Sequence, residues 1–217
     1  LNAQGARAIL NFEYRGQDLS ITYKYVLSPL ADWCVNHLTP RTMAPNSITL
    51  MGIVLMTVGY SALWYNHPTI LVNNEPQDEI VPRWVFLLNA IAVLYYQTLD
   101  NMDGKQARRV GAGSPLGLLF DHGCDALNSI FGSTLWMIAM GLSTNDLWLC
   151  FAALMGPYAL FYIGTWEEYY TGQLIMPILN GPNEGLLGAA SLSILSYLYG
   201  SSFWKSHSWW SNLLAPI

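Results

Sequence analysis

The sequence predicts an all-α fold: a polytopic bundle of transmembrane helices preceded by an amphipathic helix lying in the membrane interface. Three observations predict it. Only 11% of the 217 residues are charged and 53% are hydrophobic, whereas an ordinary soluble domain carries about 25% charge. Apolar stretches of near-spanning length recur at 48–65, 84–99, 116–142, 147–165 and 186–204, most of them approaching the roughly 20 residues a bilayer requires. Acidic positions fall at the end of the second and within the third of these spans, where an intramembrane charge faces the bundle interior and marks function. At least five spans are expected, because five buried helices of this composition in a soluble chain would leave too little polar surface.

The elements follow in order. Residues 1–18 are mixed and weakly patterned, and Phe12, Tyr14 and Arg15 suggest an ordered arm with no chemistry assigned. Across 19–38 the apolar residues Ile21, Tyr25, Leu30, Trp33 and Leu38 recur among polar ones, with Pro29 as a break, as expected for an interfacial helix. Residues 1–45 form this N-terminal arm and helix, and 46–217 form the transmembrane domain. Pro45 and Asn46 are natural N-terminal punctuation for the first span; the Asn46 amide either caps the helix or points into a polar cavity. Residues 66–82 carry three prolines, three acids and no Lys or Arg until Arg83, and read as a lumenal connection. Apolar content predicts two helices over 85–109 and 115–142, with Ser114 and Pro115 as N-cap and first-turn pair of the second. The fourth span ends in the acids Glu167 and Glu168 among aromatics, ordinary for a membrane boundary except for the paired acids. After Gly200 the tail is too short to cross again.

Charge distribution orients the bundle. Arg7, Arg15, Lys24, Arg41, Lys105, Arg108 and Arg109 flank the spans on one side, and only Arg83 and Lys205 fall on the other. The N-terminus and the loop after the second span are therefore expected to be cytoplasmic. The net charge of −5 says little in itself, and no nucleic-acid partner is expected. Cys34, Cys124 and Cys150 are an odd number without metal-ligand spacing, so no disulfide framework is implied. The chain begins with Leu and shows no cleavable leader, so the first span is expected to act as the insertion signal.

The chemistry concentrates between Asp100 and Asp125. On the first predicted helix Asp100, Asp103, Gly104, Ala107 and Arg108 share one face, and on the second Gly117, Asp121 and Asp125 share another. The short linker ArgValGlyAlaGly lets the two faces meet. Four carboxylates brought together repel and raise one another's pKa unless hard cations hold them, and all-oxygen ligation points to magnesium or manganese rather than zinc. His122 lies about 100° round the helix from its acidic neighbours; it is either a structural hydrogen-bonder or a proton-transfer group. Cys124 reads as packing, and Asn128 extends the polar face or bonds a neighbouring helix.

Written out, the stretch is Asp100, two residues, Asp103, Gly104, two residues, Ala107, Arg108, eight residues, Gly117, three residues, Asp121, three residues, Asp125. It resembles the signature of the CDP-alcohol phosphotransferase family at every fixed position, a match that chance would supply roughly once in ten billion placements. The segments around LeuAspAsnMetAspGlyLys, PheAspHisGlyCysAsp, TrpGluGluTyr and AsnGlyProAsnGluGly are similar to the eukaryotic choline and ethanolamine phosphotransferases. The resemblance covers nearly all of this chain but about the first half of such a relative, which continues with further helices.

The resemblance implies transfer of phosphocholine or phosphoethanolamine from CDP-choline or CDP-ethanolamine to diacylglycerol, releasing CMP and forming phosphatidylcholine or phosphatidylethanolamine. It implies an integral membrane enzyme of the endoplasmic reticulum or Golgi, with its site facing the cytosol, and a homodimer as the usual assembly. The family's near alternative is a phosphatidylinositol or phosphatidylglycerophosphate synthase that uses CDP-diacylglycerol. In this reading Asp100, Asp103, Asp121 and Asp125 hold two Mg2+ ions, with Mn2+ as the other candidate. Asn46, Asp100, Gly104, Lys105, Ala107, Arg108 and Gly117 line the nucleotide: Arg108 as a phosphate fork, Lys105 as a second charge if it turns inward, and the small residues by letting the nucleotide lie close to the backbone. Asp125 is the candidate general base; if it is wholly a metal ligand, His122 or a glutamate of the fourth span takes the proton. A cation transporter would have no evident use for Gly104, Ala107 and Arg108, and a catalytically silent subunit would be expected to have lost one of the four aspartates.

Overall fold

The structure, a computed structural model, describes residues 2, 7, 9, 14–66 and 81–206. The expected connection at 66–82 lies almost wholly outside the described residues, as do Phe12 and the tail beyond 206.

After a three-residue strand β1 (Gly16–Asp18), a π-helical turn (Tyr23–Leu27) runs directly into α1 (Ser28–His37). Then come α2 (Pro45–Asn66), α3 (Arg83–Val110), α4 (Pro115–Ala139) and α5 (Leu147–Thr171). A second short strand β2 (Leu174–Met176), a π-helical turn (Gly181–Gly185), α6 (Leu186–Tyr199) and the single turn α7 (Phe203–Ser206) complete the described chain. Successive long helices run antiparallel. Arg83, opening α3, donates to the Leu198 carbonyl near the end of α6 (3.2 Å), and Ser196 Oγ of α6 donates to the Ala139 carbonyl closing α4 (2.7 Å). The end of α3, the start of α4, the end of α5 and the start of α6 therefore gather at the opposite pole.

Helix α3 is the axis, packing most extensively on α2 and α6. The α2–α3 contact is close because α2 is small where it crosses: a Cβ on Gly52 would stand 3.2 Å from the Tyr96 ring, and one on Gly59 3.2 Å from Asn89 Oδ1. Such close approach is how apolar helices gain dispersion contact without a difference in hydrophobicity to drive them together. Met56, Leu63, Val85, Phe86, Tyr96, Leu135 and Ile138 form the main core, and a smaller cluster of Ala31, Cys34, Val35, Ile48, Leu99 and Met102 seats α1 against α2 and α3.

Among the described residues, two helices are long and apolar enough to cross a membrane, Pro45–Asn66 and Thr144–Thr171. α3 spans 28 residues, but its last third carries the charged motif. The fifth expected span is shorter than its sequence suggested: α6 stops at Tyr199, where Gly200 turns the chain at φ 89°. The predicted all-α fold also has an exception, because β1 and β2 form a parallel two-stranded ladder with Gly16 opposite Leu174 and Asp18 opposite Met176. Strands of three residues, brought together by tertiary packing, leave no periodicity to detect. α4 begins as expected, with Ser114 Oγ accepting from the Gly117 N–H at 3.0 Å, and ends at Ala139, three residues before the expected boundary.

Candidate active site

The motif's two faces meet. One carboxylate oxygen from each of Asp100, Asp103 and Asp121 lies within 4.8 Å of the others. The linker achieves this because Gly111 adopts φ 68°, a left-handed conformation open to glycine at little cost. The Ala112 N–H then bonds back to the Ala107 carbonyl at 2.9 Å, closing α3 and directing the chain into α4.

Asp125 stands beside this trio rather than within it. Its Oδ1 accepts the Tyr96 hydroxyl at 2.7 Å, and its carboxyl abuts that of Asp100. Asp103 accepts the hydroxyl of Thr49 on α2 and abuts Asp121. Tyr96 and Thr49 were not singled out by sequence: the first sits one turn before Asp100 among core aromatics, the second on another helix. Asp100 Oδ1 and Asp121 Oδ1 are buried with no hydrogen-bond partner among the described residues. None of the four aspartates has an ion-pair partner among the described residues. Buried carboxylate oxygens left unpaired are expensive, and hard divalent cations with oxygen preference fit this donor set.

Arg108 folds back over the same face: its Nη1 lies 3.6 Å from where a Cβ on Gly104 would be. Asn46 is the second residue of α2, so Pro45 rather than Asn46 opens the helix. Its Oδ1 lies 3.6 Å from the Cβ position of Gly117, on the rim of the carboxylate cleft. Ala107 is half-buried on the motif face.

Lys105 departs from expectation. It does not turn toward the carboxylates; its Nζ donates to Ser28 Oγ and pairs with Asp32, both at 2.9 Å. Its neighbours act alike: Gln106 donates to the Pro40 and Met43 carbonyls, and Arg109 to those of Val35 and Thr39. Lys105 points one residue round from the Asp103–Gly104 face, toward α1, whose open last-turn carbonyls and Asp32 attract cations. Lys105, Arg108 and Arg109, with Asp32, Val35 and Asn36 of α1, line an open cleft of about 370 Å³ between α1 and the end of α3.

His122 faces α5. Its Nδ1 lies 4.0 Å from Glu168 Oε2, and its ring meets Phe161 edge-on at 6.1 Å. Glu168 is half-buried there while Glu167 is exposed, so one of the paired acids turns to the site and the other away. Cys124 packs in the core, and Asn128 is buried on the polar face.

The arm also reaches this pole. Tyr14 is close enough to Glu168, Asp121, Arg108 and Asp125 to feel their charges; burial, then Glu168 and Asp121, push its hydroxyl up to about 12. Only the adjacency of the arm to the end of α5, through the β1–β2 ladder, brings it here.

The comparisons with known proteins agree with this geometry. The sequence model described as CDP-alcohol phosphatidyltransferase matches residues 42–210. The chain is 37% identical over 205 residues to choline/ethanolaminephosphotransferase 1 of Arabidopsis thaliana, covering 94% of this chain and 49% of the relative. It is 36% identical over 204 residues to choline/ethanolaminephosphotransferase 1 of Saccharomyces cerevisiae, covering 91% and 48%. It is 37% identical over 205 residues to an uncharacterized CDP-alcohol phosphatidyltransferase class-I family protein of Dictyostelium discoideum, covering 94% and 47%. The chain thus spans about half the length of the curated relatives it matches. With the signature complete, its carboxylates gathered at one pole and the family model spanning most of its length, the chain belongs to the CDP-alcohol phosphatidyltransferase family.

Proposed function

We propose that the protein transfers phosphocholine or phosphoethanolamine from CDP-choline or CDP-ethanolamine to diacylglycerol, releasing CMP. The observation that carries this reading is the trio of buried Asp103 and half-buried Asp100 and Asp121, the last two each with a buried, unpaired Oδ1, set beneath Arg108 and the bare surface of Gly104. The names of the plant and yeast relatives favour the choline and ethanolamine donors over CDP-diacylglycerol.

Asp100, Asp103 and Asp121, with Asp125 adjoining, would hold two Mg2+ ions, or Mn2+. Such ions neutralise a diphosphate and stabilise charge developing at the transferring phosphorus. The protein's own groups supply the rest. Arg108 presents a planar fork to a phosphate, while Asn46, Ala107 and Gly117 border the nucleotide and Gly104 lets it approach the α3 backbone. The acceptor hydroxyl attacks phosphorus, the bond from phosphorus to the CMP oxygen breaks, and CMP departs with the electron pair. The hydroxyl proton must go to a base. Asp125 is already engaged by Tyr96 and Asp100, so the role is assigned to His122. Glu168 facing Nδ1 favours the tautomer with its proton there, leaving Nε2 to accept.

In this reading α2 to α6 form the polytopic membrane bundle, with the motif pole at the cytosolic surface of the endoplasmic reticulum or Golgi. The outward face of α5, with Trp148, Phe151, Leu160, Tyr162 and Ile163 exposed, is suited to lipid. α1 and the turn before it lie in the interface: Ile21, Tyr25, Val26, Leu30 and Trp33 are exposed on one side while Leu27, Ala31, Cys34 and Val35 pack inward. A homodimer is implied by resemblance, and light scattering in detergent tests it.

The test is CMP release by purified full-length protein with diacylglycerol and magnesium, offering either donor, with Asp121→Asn alongside. Release that requires metal and lipid acceptor and is lost in the variant supports the proposal. Release only from CDP-diacylglycerol with inositol or glycerol phosphate would overturn the substrate assignment, and no release from any donor would overturn the transferase itself.

A further inference from the structure

A polar network outside the signature ties the arm to the catalytic helices. Asp18 is its hub. Asp18 Oδ1 accepts from the Ser20 N–H at 2.8 Å and from Asn180 Nδ2 at 3.3 Å, and Oδ2 accepts from Asn183 Nδ2 at 2.6 Å. Ser20 Oγ donates to Glu184 at 2.5 Å, and Glu184 also accepts the Asn180 N–H at 3.0 Å. The arm is thus latched to the turn Gly181–Gly185 that opens α6.

That turn is in turn held by α3. Gln97, fully buried, donates its amide to the Pro182 and Asn183 carbonyls at 2.8 and 2.9 Å. Gln97 lies one helical turn before Asp100, so the far end of the network is the segment of α3 that carries the carboxylates. At its near end, the β1–β2 ladder joins Asp18 to Met176 and, through the Leu174 N–H to Arg15 carbonyl bond of 3.0 Å, fixes Tyr14 at the end of α5 beside Glu168. The contacts between α3 and α4 and between α4 and α5 are the direct route between Asp100 and Glu168; this network is a second, through polar groups. It is costly to build, since Asn183 and Ser20 are both buried and each must keep its partner.

We propose that Asp18 is a positioning residue for phosphotransfer: by latching the Asn180–Glu184 turn it fixes the end of α5, with Glu168 and Tyr14, relative to the α3 carboxylates. The inference rests on the function proposed above. Removing the latch frees the proton-accepting side of the site to drift from the phosphate-holding side. A drift of about 1 Å costs on the order of 100-fold in rate without touching the groups that bind the donor.

The experiment compares wild type, Asp18→Ala and Asp18→Asn in the full-length protein, reading kcat and the KM for CDP-choline and CDP-ethanolamine per unit of monodisperse protein. In Asp18→Ala, kcat is expected to fall at least about ten-fold while KM moves less than about three-fold. Asp18→Asn is expected to recover most of the rate, since its amide can still accept from Ser20 and re-pair with a flipped Asn183. Wild-type kcat in Asp18→Ala, an equal change in KM, or no recovery in Asp18→Asn would overturn the proposal. Should Asp18→Ala not yield monodisperse protein, Asn183→Ala serves, because it removes the 2.6 Å bond to Asp18 from the other side while keeping the backbone carbonyl that Gln97 holds; an unchanged kcat there overturns it equally. Silence of the wild type with every donor would instead overturn the function on which the inference rests, which separates the two failures.

Discussion

Replacing Gly104 by alanine should stabilise the protein and disable it. A Cβ at Gly104 would meet only the Arg108 guanidinium, at 3.6 Å, an ordinary van der Waals contact with the end of a flexible side chain. No backbone or core atom stands in the way, and the residue lies well inside α3. Alanine in a helix interior gains about 0.5–1 kcal/mol over glycine, which in a chain of this size raises a thermal midpoint by roughly 2–4 °C per kcal/mol. The same methyl projects onto the face shared by Asp100, Asp103 and Arg108, where the nucleotide must lie against the backbone. Displacing the donor by about 1 Å there should reduce transfer by on the order of 100-fold. Scanning fluorimetry and CMP release on the same preparation measure both signs. Undiminished turnover in the alanine variant would show that the donor does not use this surface; a lowered midpoint would show that glycine is required by packing instead.

Three further outcomes are expected. Glu168→Gln should lower kcat by about 100-fold through loss of the group facing His122, and exposed Glu167→Gln should change it less than about two-fold, as expected for a general base positioned by one carboxylate only; equal effects in CMP release would refute the pairing. Tyr96→Phe removes the 2.7 Å hydrogen bond to Asp125 while keeping the ring in the core, and a bond to a charged group is worth about 1.5–3 kcal/mol, so activity should drop at least about ten-fold in protein that still elutes as monodisperse; a wild-type rate would show the bond is idle. For Glu184, burial pushes the carboxyl up, but the hydrogen bonds from Ser20 and the Asn180 N–H outweigh it and hold it below the ordinary value of 4.5. Its stabilisation is therefore complete above the unfolded value and lost as pH falls through the lower folded one. The thermal midpoint should decline on acidification below about pH 4.5 and decline less in Ser20→Ala; an identical acid slope in the variant would refute the assignment.

The legibility of this site follows from helix geometry. Asp100, Asp103, Gly104 and Arg108 lie within nine residues of one helix, and Gly117, Asp121 and Asp125 within nine of the next. The 3.6-residue period places each set on one face, and a short glycine linker leaves those faces little choice but to meet. Lys105 was misplaced for the same reason: one residue is 100° of rotation, enough to carry its ammonium from the carboxylates to Asp32 on α1. Asn46 and Glu168 were within reach as candidates but not as assignments, because neither the rotation of α2 nor that of α5 is set by local sequence.

What the sequence by itself determined is therefore the helical composition, the acidic motif with its all-oxygen donor set and the family to which the chain belongs, all properties of near-neighbour spacing and residue chemistry. The tertiary structure decided which groups from distant segments join that motif. Thr49 reaches Asp103 across 54 positions, Asn183 reaches Asp18 across 165, and His122 meets Glu168 rather than an aspartate. Those pairings depend on how helices rotate and pack, which is fixed by close contacts such as Gly52 against Tyr96 and not by any period along the chain.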